Sequence, residues 1–177
     1  DKKSERARVL KERNALSTAK RGELNHALCS FLSDFLDSVK VQTIGAFLPI
    51  GSEPDISEVL KNWLRAGAAR QVFLPVTEGK TMRFAFWDPA KPLKIGRFSV
   101  PEPTSDLFSE PPLLLVPCVA LNKQGYRLGY GAGYYDRYLP RCRNAVALGV
   151  AFEAQRVPEA AADGQDRRLD GFVTERK

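Results

Sequence analysis

The sequence predicts an α/β fold, one domain in three layers, with a mostly parallel central sheet between helices. Three observations carry that expectation. Short apolar runs alternate with stretches of helical period along the whole chain. The runs at 41–48, 71–76, 113–116 and 145–151 are apolar almost throughout, as in strands covered on both faces. The chain has 177 residues, 44% of them hydrophobic, enough for one domain with a sizeable core.

Residues 3–20 read as a basic helix, with Ala7 and Leu10 in a loose apolar stripe. Ser17 is placed to cap the next helix, in which Leu24, Ala27, Leu28, Phe31, Leu32, Phe35 and Leu36 follow i, i+3, i+4 spacing. The strand at 41–48 is stopped by Pro49 and Gly51. Ile56, Val59, Leu60, Trp63 and Leu64 form the face of a further helix. Asp55 with Glu58 resembles a capping box at its start, and Gly67 is the expected C-cap. After the strand at 71–76 comes a turn at 78–80, and then Met82, Phe84 and Phe86 alternate as in a half-exposed strand. Residues 88–112 are rich in proline and short of periodicity, a long excursion of the kind that often carries function. The strand at 113–116 ends at Pro117. A helix is expected from Tyr134 past Tyr138 and Leu139, then the strand at 145–151 and a tail with a short apolar piece at Phe172 and Val173.

Composition narrows the function. The net charge is +6, and residues 1–21 hold eight Lys/Arg against three Asp/Glu, so the excess sits at the N-terminus. A basic end suits nucleic acid or a small anion. With no nucleic-acid-binding motif elsewhere, the small anion is favoured. Cys29, Cys118 and Cys142 are odd in number and widely spaced, against a disulfide framework or zinc site and in keeping with a cytoplasmic protein. A single histidine, His26, argues against a Ser-His-Asp triad or a His-based metal cluster. No apolar run reaches the roughly 20 residues of a membrane span, and no secretory leader pattern is present.

The densest signal is residues 125–136, where Gly125, Gly129, Gly131 and Gly133 fall within nine positions, with Arg127, Arg137 and Asp136 beside them. Glycines this close suggest unusual φ/ψ values or close approach to a ligand. Successive backbone N–H groups make an anion cradle, the arginines add charge, and Asp136 suits a cation beside a bound phosphate. The stretch therefore reads as a phosphate loop rather than a surface turn. It lacks the Gly-Lys-Ser/Thr of the P-loop and the placement of the dinucleotide fingerprint. Glu53 lies in the loop after the first strand, where open α/β sheets bind ligands. A solvated loop glutamate is the plainer reading of that residue alone.

Val116-Pro117 followed by residues 125–137 closely resembles the signature of the 5-formyltetrahydrofolate cyclo-ligases, also called 5,10-methenyltetrahydrofolate synthetases. The resemblance extends over nearly the whole chain. Lys2, Lys3 and Arg6 before Ala15-Leu16-Ser17 are similar to the family's opening, and Gly51 to Asp55 to the loop with its substrate-contacting glutamate. Leu74-Pro75-Val76, Met82-Arg83-Phe84 and Pro101-Glu102-Pro103 follow in the expected order, and Asp166 to Glu175 resembles the family's ending. The chain departs from the pattern at Leu121-Asn122 in place of Phe-Asp, at Gln165 in place of His, and at Ala132 in the loop.

The resemblance implies an ATP- and Mg-dependent ligase that cyclises 5-formyltetrahydrofolate to 5,10-methenyltetrahydrofolate through a phosphorylated formyl group. Lys2, Lys3 and Arg6 would bind ATP, together with Arg127, Leu128, Gly129, Tyr130, Gly131, Ala132, Gly133, Tyr134 and Tyr135. Leu48, Glu53 and the stretch Tyr130 to Tyr134 would meet the folate. Arg127, Tyr134 and Asp136 would be the catalytic residues, and Asp136 with Asp166 would hold magnesium, Asp170 being the substitute for Asp166. Phe84 and Trp87 fit either ligand packing or the core. The partners expected are reduced folate and ATP, with no nucleic acid or membrane, for a cytoplasmic monomer. The alternatives are a nucleotide- or phosphosugar-binding α/β protein of different chemistry and a non-enzymatic nucleic-acid binder using the basic N-terminus.

Overall fold

Alternate residues of the run at 113–116 face opposite ways. Leu113 and Leu115 join one core cluster, while Leu114 and Val116 join another. This is the two-residue period of a strand buried on both faces. The computed structural model describes residues 2–157 and 167–177. In chain order its first elements are α1 (Lys2–Asn14), α2 (Thr18–Ser38), β1 (Thr43–Gly45), α3 (Ser57–Arg65), β2 (Gln71–Glu78) and β3 (Thr81–Trp87). Then follow β4 (Lys94–Ile95), β5 (Pro101–Glu102), β6 (Phe108–Ser109), β7 (Leu113–Pro117), β8 (Ala120–Leu121) and β9 (Arg127–Leu128). The chain closes with α4 (Tyr134–Tyr138), β10 (Val146–Val150) and β11 (Gly171–Val173).

Seven strands form the central sheet in the order β11-β10-β7-β1-β2-β3-β6. The first five run parallel, while β3 and β6 pair antiparallel at one edge. One face is covered by α2 and α3, through Leu28, Leu32, Leu36, Ile56, Leu60 and Trp63. The other is covered by α4 and the residues after it, with Tyr138 and Leu139 against Phe73, Phe84 and Leu114. Burying each such aliphatic side chain contributes about 1.5–3 kcal/mol. Phe84 and Trp87 are core residues, one in each cluster. A third, smaller cluster joins Val9 of α1 to Val119, Ala120 and Leu128.

Several expected boundaries shift. The helix expected over 3–20 ends at Asn14, because Ser17 Oγ accepts the Lys20 N–H and starts α2 afresh. Phe31 is 40% exposed, turned away from the Leu28-Leu32-Leu36 stripe that meets the sheet. The strand expected over 41–48 is only three residues long, although the Ala46 N–H still bonds Phe73 O. No capping box forms at α3: the Asp55 carboxylate accepts from Ser57 N and Oγ, and Glu58 pairs with Lys61 instead. Nor is Gly67 a left-handed cap: α3 ends at Arg65 with Ala66 as its C-cap, and Arg70 donates to the Trp63 carbonyl. The 88–112 excursion carries the β4–β5 ribbon and the edge strand β6. The Phe172-Val173 piece is a fifth parallel strand, paired with β10.

Candidate functional site

From the central β1 the chain moves through α3 to β2 on one side, and later returns to β7 on the other. The loops leaving the carboxyl ends of β1 and β7 therefore diverge to opposite faces, and the point between them is the usual ligand position in such sheets. Glu53 is on the first of these loops. The second delivers the β8–β9 ribbon and the glycine-rich stretch. Helix α1 lies over the same end.

Glu53 is 5% exposed and its two oxygens are both engaged. Oε1 accepts the Ile50 N–H at 2.8 Å, and Oε2 accepts the Tyr130 hydroxyl at 2.9 Å. Burial raises its pKa above the usual carboxylate range, partly offset by those two hydrogen bonds and by the charges of Arg13 and Arg127. Tyr130 is pushed up to about 12 by burial and by Glu53.

Arg13 was not anticipated. It is 4% exposed, with Nε donating to Ser52 Oγ at 2.8 Å and one terminal nitrogen to the Tyr130 hydroxyl at 2.8 Å. Its other terminal nitrogen has no hydrogen-bond partner among the described residues. Ser52 Oγ in turn bonds the Asn14 side chain. The available signal was spacing: Arg6 and Arg13 are seven residues apart, about two turns, and so share a helix face.

Arg6 donates through Nε to the Gly129 carbonyl at 2.7 Å. Gly131 (φ +104°) and Gly133 (φ +78°) are left-handed and Ala132 between them is not, the alternation from which anion nests are made. The side chain of Arg127 is 6% exposed and donates to the Pro117 carbonyl at the end of β7, 3.0 Å away. Its other terminal nitrogen lies 3.5 Å from Asp136, its guanidinium stands 5.1 Å over the Tyr135 ring, and its buried Nε has no hydrogen-bond partner among the described residues. Arg137 is held by the carbonyls of Lys80 and Ala132. Tyr134 donates to the Gly79 carbonyl and accepts from Arg97.

Glu53, Arg6, Arg127, Tyr130, Tyr134, Tyr135 and Asp136 are thus brought to one end of the sheet. Lys2 is half-buried and Lys3 exposed on α1. Leu48 is half-buried against the core cluster of the α2–α3 face. Leu128 is buried with Val9 in the smallest cluster, so only its backbone is left to face a ligand. Asp166 lies outside the described residues. Asp170 already accepts the Ala147 N–H at 2.8 Å and faces Arg167. Asn122 supports the ribbon turn by accepting from the backbone of Gln124 and Tyr126.

Among the described residues no three His, Cys, Asp or Glu side chains form a metal cluster. One exposed carboxylate, Asp136, beside a phosphate cradle fits Mg²⁺, which binds through one or two carboxylates plus phosphate oxygens and water. The guanidinium nitrogens of Arg13 and Arg127 that lack a hydrogen-bond partner among the described residues fit anionic or carbonyl oxygens. Two hollows, about 290 Å³ beside Trp87 and about 530 Å³ between α2 and α3, lie away from this cluster.

A model of the 5-formyltetrahydrofolate cyclo-ligase family matches residues 1–175. The chain is 30% identical to a 5-formyltetrahydrofolate cyclo-ligase of Mycoplasma pneumoniae, covering 99% of each sequence. It is 27% identical to that of Escherichia coli K12, over 96% of this chain and 97% of the relative. Its fold matches a 5,10-methenyltetrahydrofolate synthetase structure from M. pneumoniae with a TM-score of 0.82 at 27% identity, covering 99% of both chains. The Aquifex aeolicus synthetase matches with a TM-score of 0.85 at 30% identity, over 99% of this chain and 90% of that one.

Proposed function

This chain belongs to the 5-formyltetrahydrofolate cyclo-ligase family and is a ligase of that kind, and from that premise we propose how its site works. The enzyme converts 5-formyltetrahydrofolate to 5,10-methenyltetrahydrofolate with ATP as co-substrate, releasing ADP and phosphate. The formyl oxygen is a poor leaving group. It attacks the γ-phosphorus as the bond to ADP breaks, giving an imidate phosphate. The nitrogen at position 10 then attacks the formyl carbon, the carbon–oxygen bond breaks with its electrons leaving on phosphate, and the proton on that nitrogen passes to solvent.

Such chemistry asks for positioning and charge neutralisation rather than a protein nucleophile. Arg6, Arg127 and the 129–133 backbone would hold the ATP phosphates, with Lys2 and Lys3 near the same end of α1. Asp136, with Asp166, would hold Mg²⁺, which supplies charge neutralisation at the phosphates. Glu53 would accept from ring N–H groups of the folate, with Leu48 as apolar wall. Arg127 and Tyr134 would order the transferring group. Each of these groups comes from one chain, so a monomer suffices. The cysteines are free and, among the described residues, no helix is long and apolar enough to cross a membrane. We place the protein in the cytoplasm.

The observation that carries this reading is the Tyr130–Glu53 hydrogen bond, which joins the phosphate loop to the substrate glutamate at the switch point. The test mixes protein, 5-formyltetrahydrofolate, ATP and Mg²⁺ and follows the near-ultraviolet absorbance of the methenyl product, with no-ATP and Arg127→Ala controls. An ATP-dependent rise that the variant loses is expected. No rise while ATP still binds would assign the loop to other chemistry.

A further inference from the structure

We propose that Arg13 and Glu53 form one recognition unit for the fused-ring end of the folate, Arg13 donating to the ring oxo group while Glu53 accepts from the adjacent ring N–H. In the ligand-free protein the Tyr130 hydroxyl holds that place. The inference rests on the reading above that Glu53 faces the folate.

One oxygen atom satisfies both groups. The Tyr130 hydroxyl donates to Glu53 at 2.9 Å and accepts from Arg13 at 2.8 Å, so a donor and an acceptor are presented side by side. A cyclic amide edge, N–H beside C=O, offers the same pair, and the 2-amino-4-oxo ring of a folate carries that edge. The two protein groups are fixed from beneath, Arg13 by Ser52 and Glu53 by the Ile50 N–H. Both are about 95% buried, whereas Tyr130 is 46% exposed and sits between glycines that let it swing. Arg13 also keeps one terminal nitrogen without a partner among the described residues. Once Tyr130 withdraws, a ligand lacking the oxo group leaves a buried guanidinium unpaired, and that penalty is the source of selectivity. A lysine, with a point charge instead of a fork, reproduces only part of this.

The test measures binding by calorimetry on the full chain without ATP, comparing 5-formyltetrahydrofolate with its 4-amino counterpart, which turns N–H donors toward Arg13. The wild-type protein should prefer the oxo compound by roughly tenfold to hundredfold. Arg13→Met should erase most of that ratio by weakening the oxo compound, with a smaller effect on ATP. Arg13→Lys, which keeps the charge over Glu53, should give an intermediate ratio and guards against a folding defect in the first variant. Equal weakening of both folates by Arg13→Met, with the ratio intact, would make Arg13 a packing residue and overturn the proposal, as would a wild-type protein with no preference. Binding with the expected preference but no methenyl product on adding ATP would leave the recognition unit standing and remove the reaction.

Discussion

Arg6 Nε donates to the Gly129 carbonyl at 2.7 Å, tying the basic N-terminal helix to the glycine-rich loop 123 residues further on. The charge excess at the N-terminus is therefore not a detached solvated face. Through Arg6 it reaches a loop in which Gly131 and Gly133 are left-handed.

That loop can be tested at its backbone. A Cβ on Gly131 would stand 3.6 Å from the Arg6 guanidinium, an ordinary contact, but the φ of +104° is unfavourable to any other residue. Gly131→Ala should therefore distort the loop at a cost of about 1–3 kcal/mol, lower Tm by several degrees, and weaken ATP roughly tenfold or more. Unaltered ATP affinity by calorimetry would remove this loop from the nucleotide site.

Arg127 and Asp136 face each other at 3.5 Å, yet their substitutions should separate. Arg127→Ala removes a buried cation and the tie to Pro117, and should lower ATP-dependent turnover by roughly a hundredfold. Asp136 is half exposed, so Asp136→Asn should leave the fold intact, as seen in circular dichroism, and shift the Mg²⁺ titration of turnover to higher concentration. An unchanged titration would sink the metal assignment.

Glu53 gives a pH prediction of definite sign. Its folded pKa is raised by burial, whereas an unfolded glutamate titrates near about 4.3. The folded chain thus binds this proton more tightly. The stability it confers is full below the unfolded value and is lost as pH rises through the folded one. That stability fades as pH rises, so Glu53→Gln should stabilise the fold more at pH 7 than at pH 4, read as a larger gain in Tm at the higher pH, while costing folate affinity. Melting curves across that range decide it. A gain independent of pH would mean that Glu53 is not the titrating group.

Gly45 tests the core beneath the site. A Cβ there would lie 2.6 Å from a Leu114 methyl and 3.1 Å from the Phe84 ring, both buried. Gly45→Ala should cost about 1–3 kcal/mol by overpacking and lower Tm by several degrees. A melt matching the wild type would show that β1 and β7 have slack at this point.

Elements with a clear period were legible before the structure. The α2 stripe Leu28-Leu32-Leu36 and the alternation at 113–116 fix faces by local geometry alone, and the glycine spacing at 125–133 marked the loop. Boundaries were less legible, because hydrogen-bonding partners set them. Ser17 split the basic segment into two helices, α3 was capped at Ala66 with Arg70 bonding the Trp63 carbonyl, and the Phe172-Val173 piece became a strand only by pairing with β10. Arg13 escaped notice for a similar reason: a lone arginine among many on a basic helix has no local signature, and its burial depends on Ser52 and Tyr130, 39 and 117 residues away.

Residue spacing within a few turns or strands was enough for the layers, the mostly parallel sheet, the place of the glycine-rich loop and the family resemblance. Long-range pairing placed β7 on the far side of β1, at the switch point where Glu53 meets Tyr130. The tertiary structure also decided that Arg13 lies buried beneath them. Those facts depend on contacts between residues far apart in the chain, whose geometry no local pattern encodes.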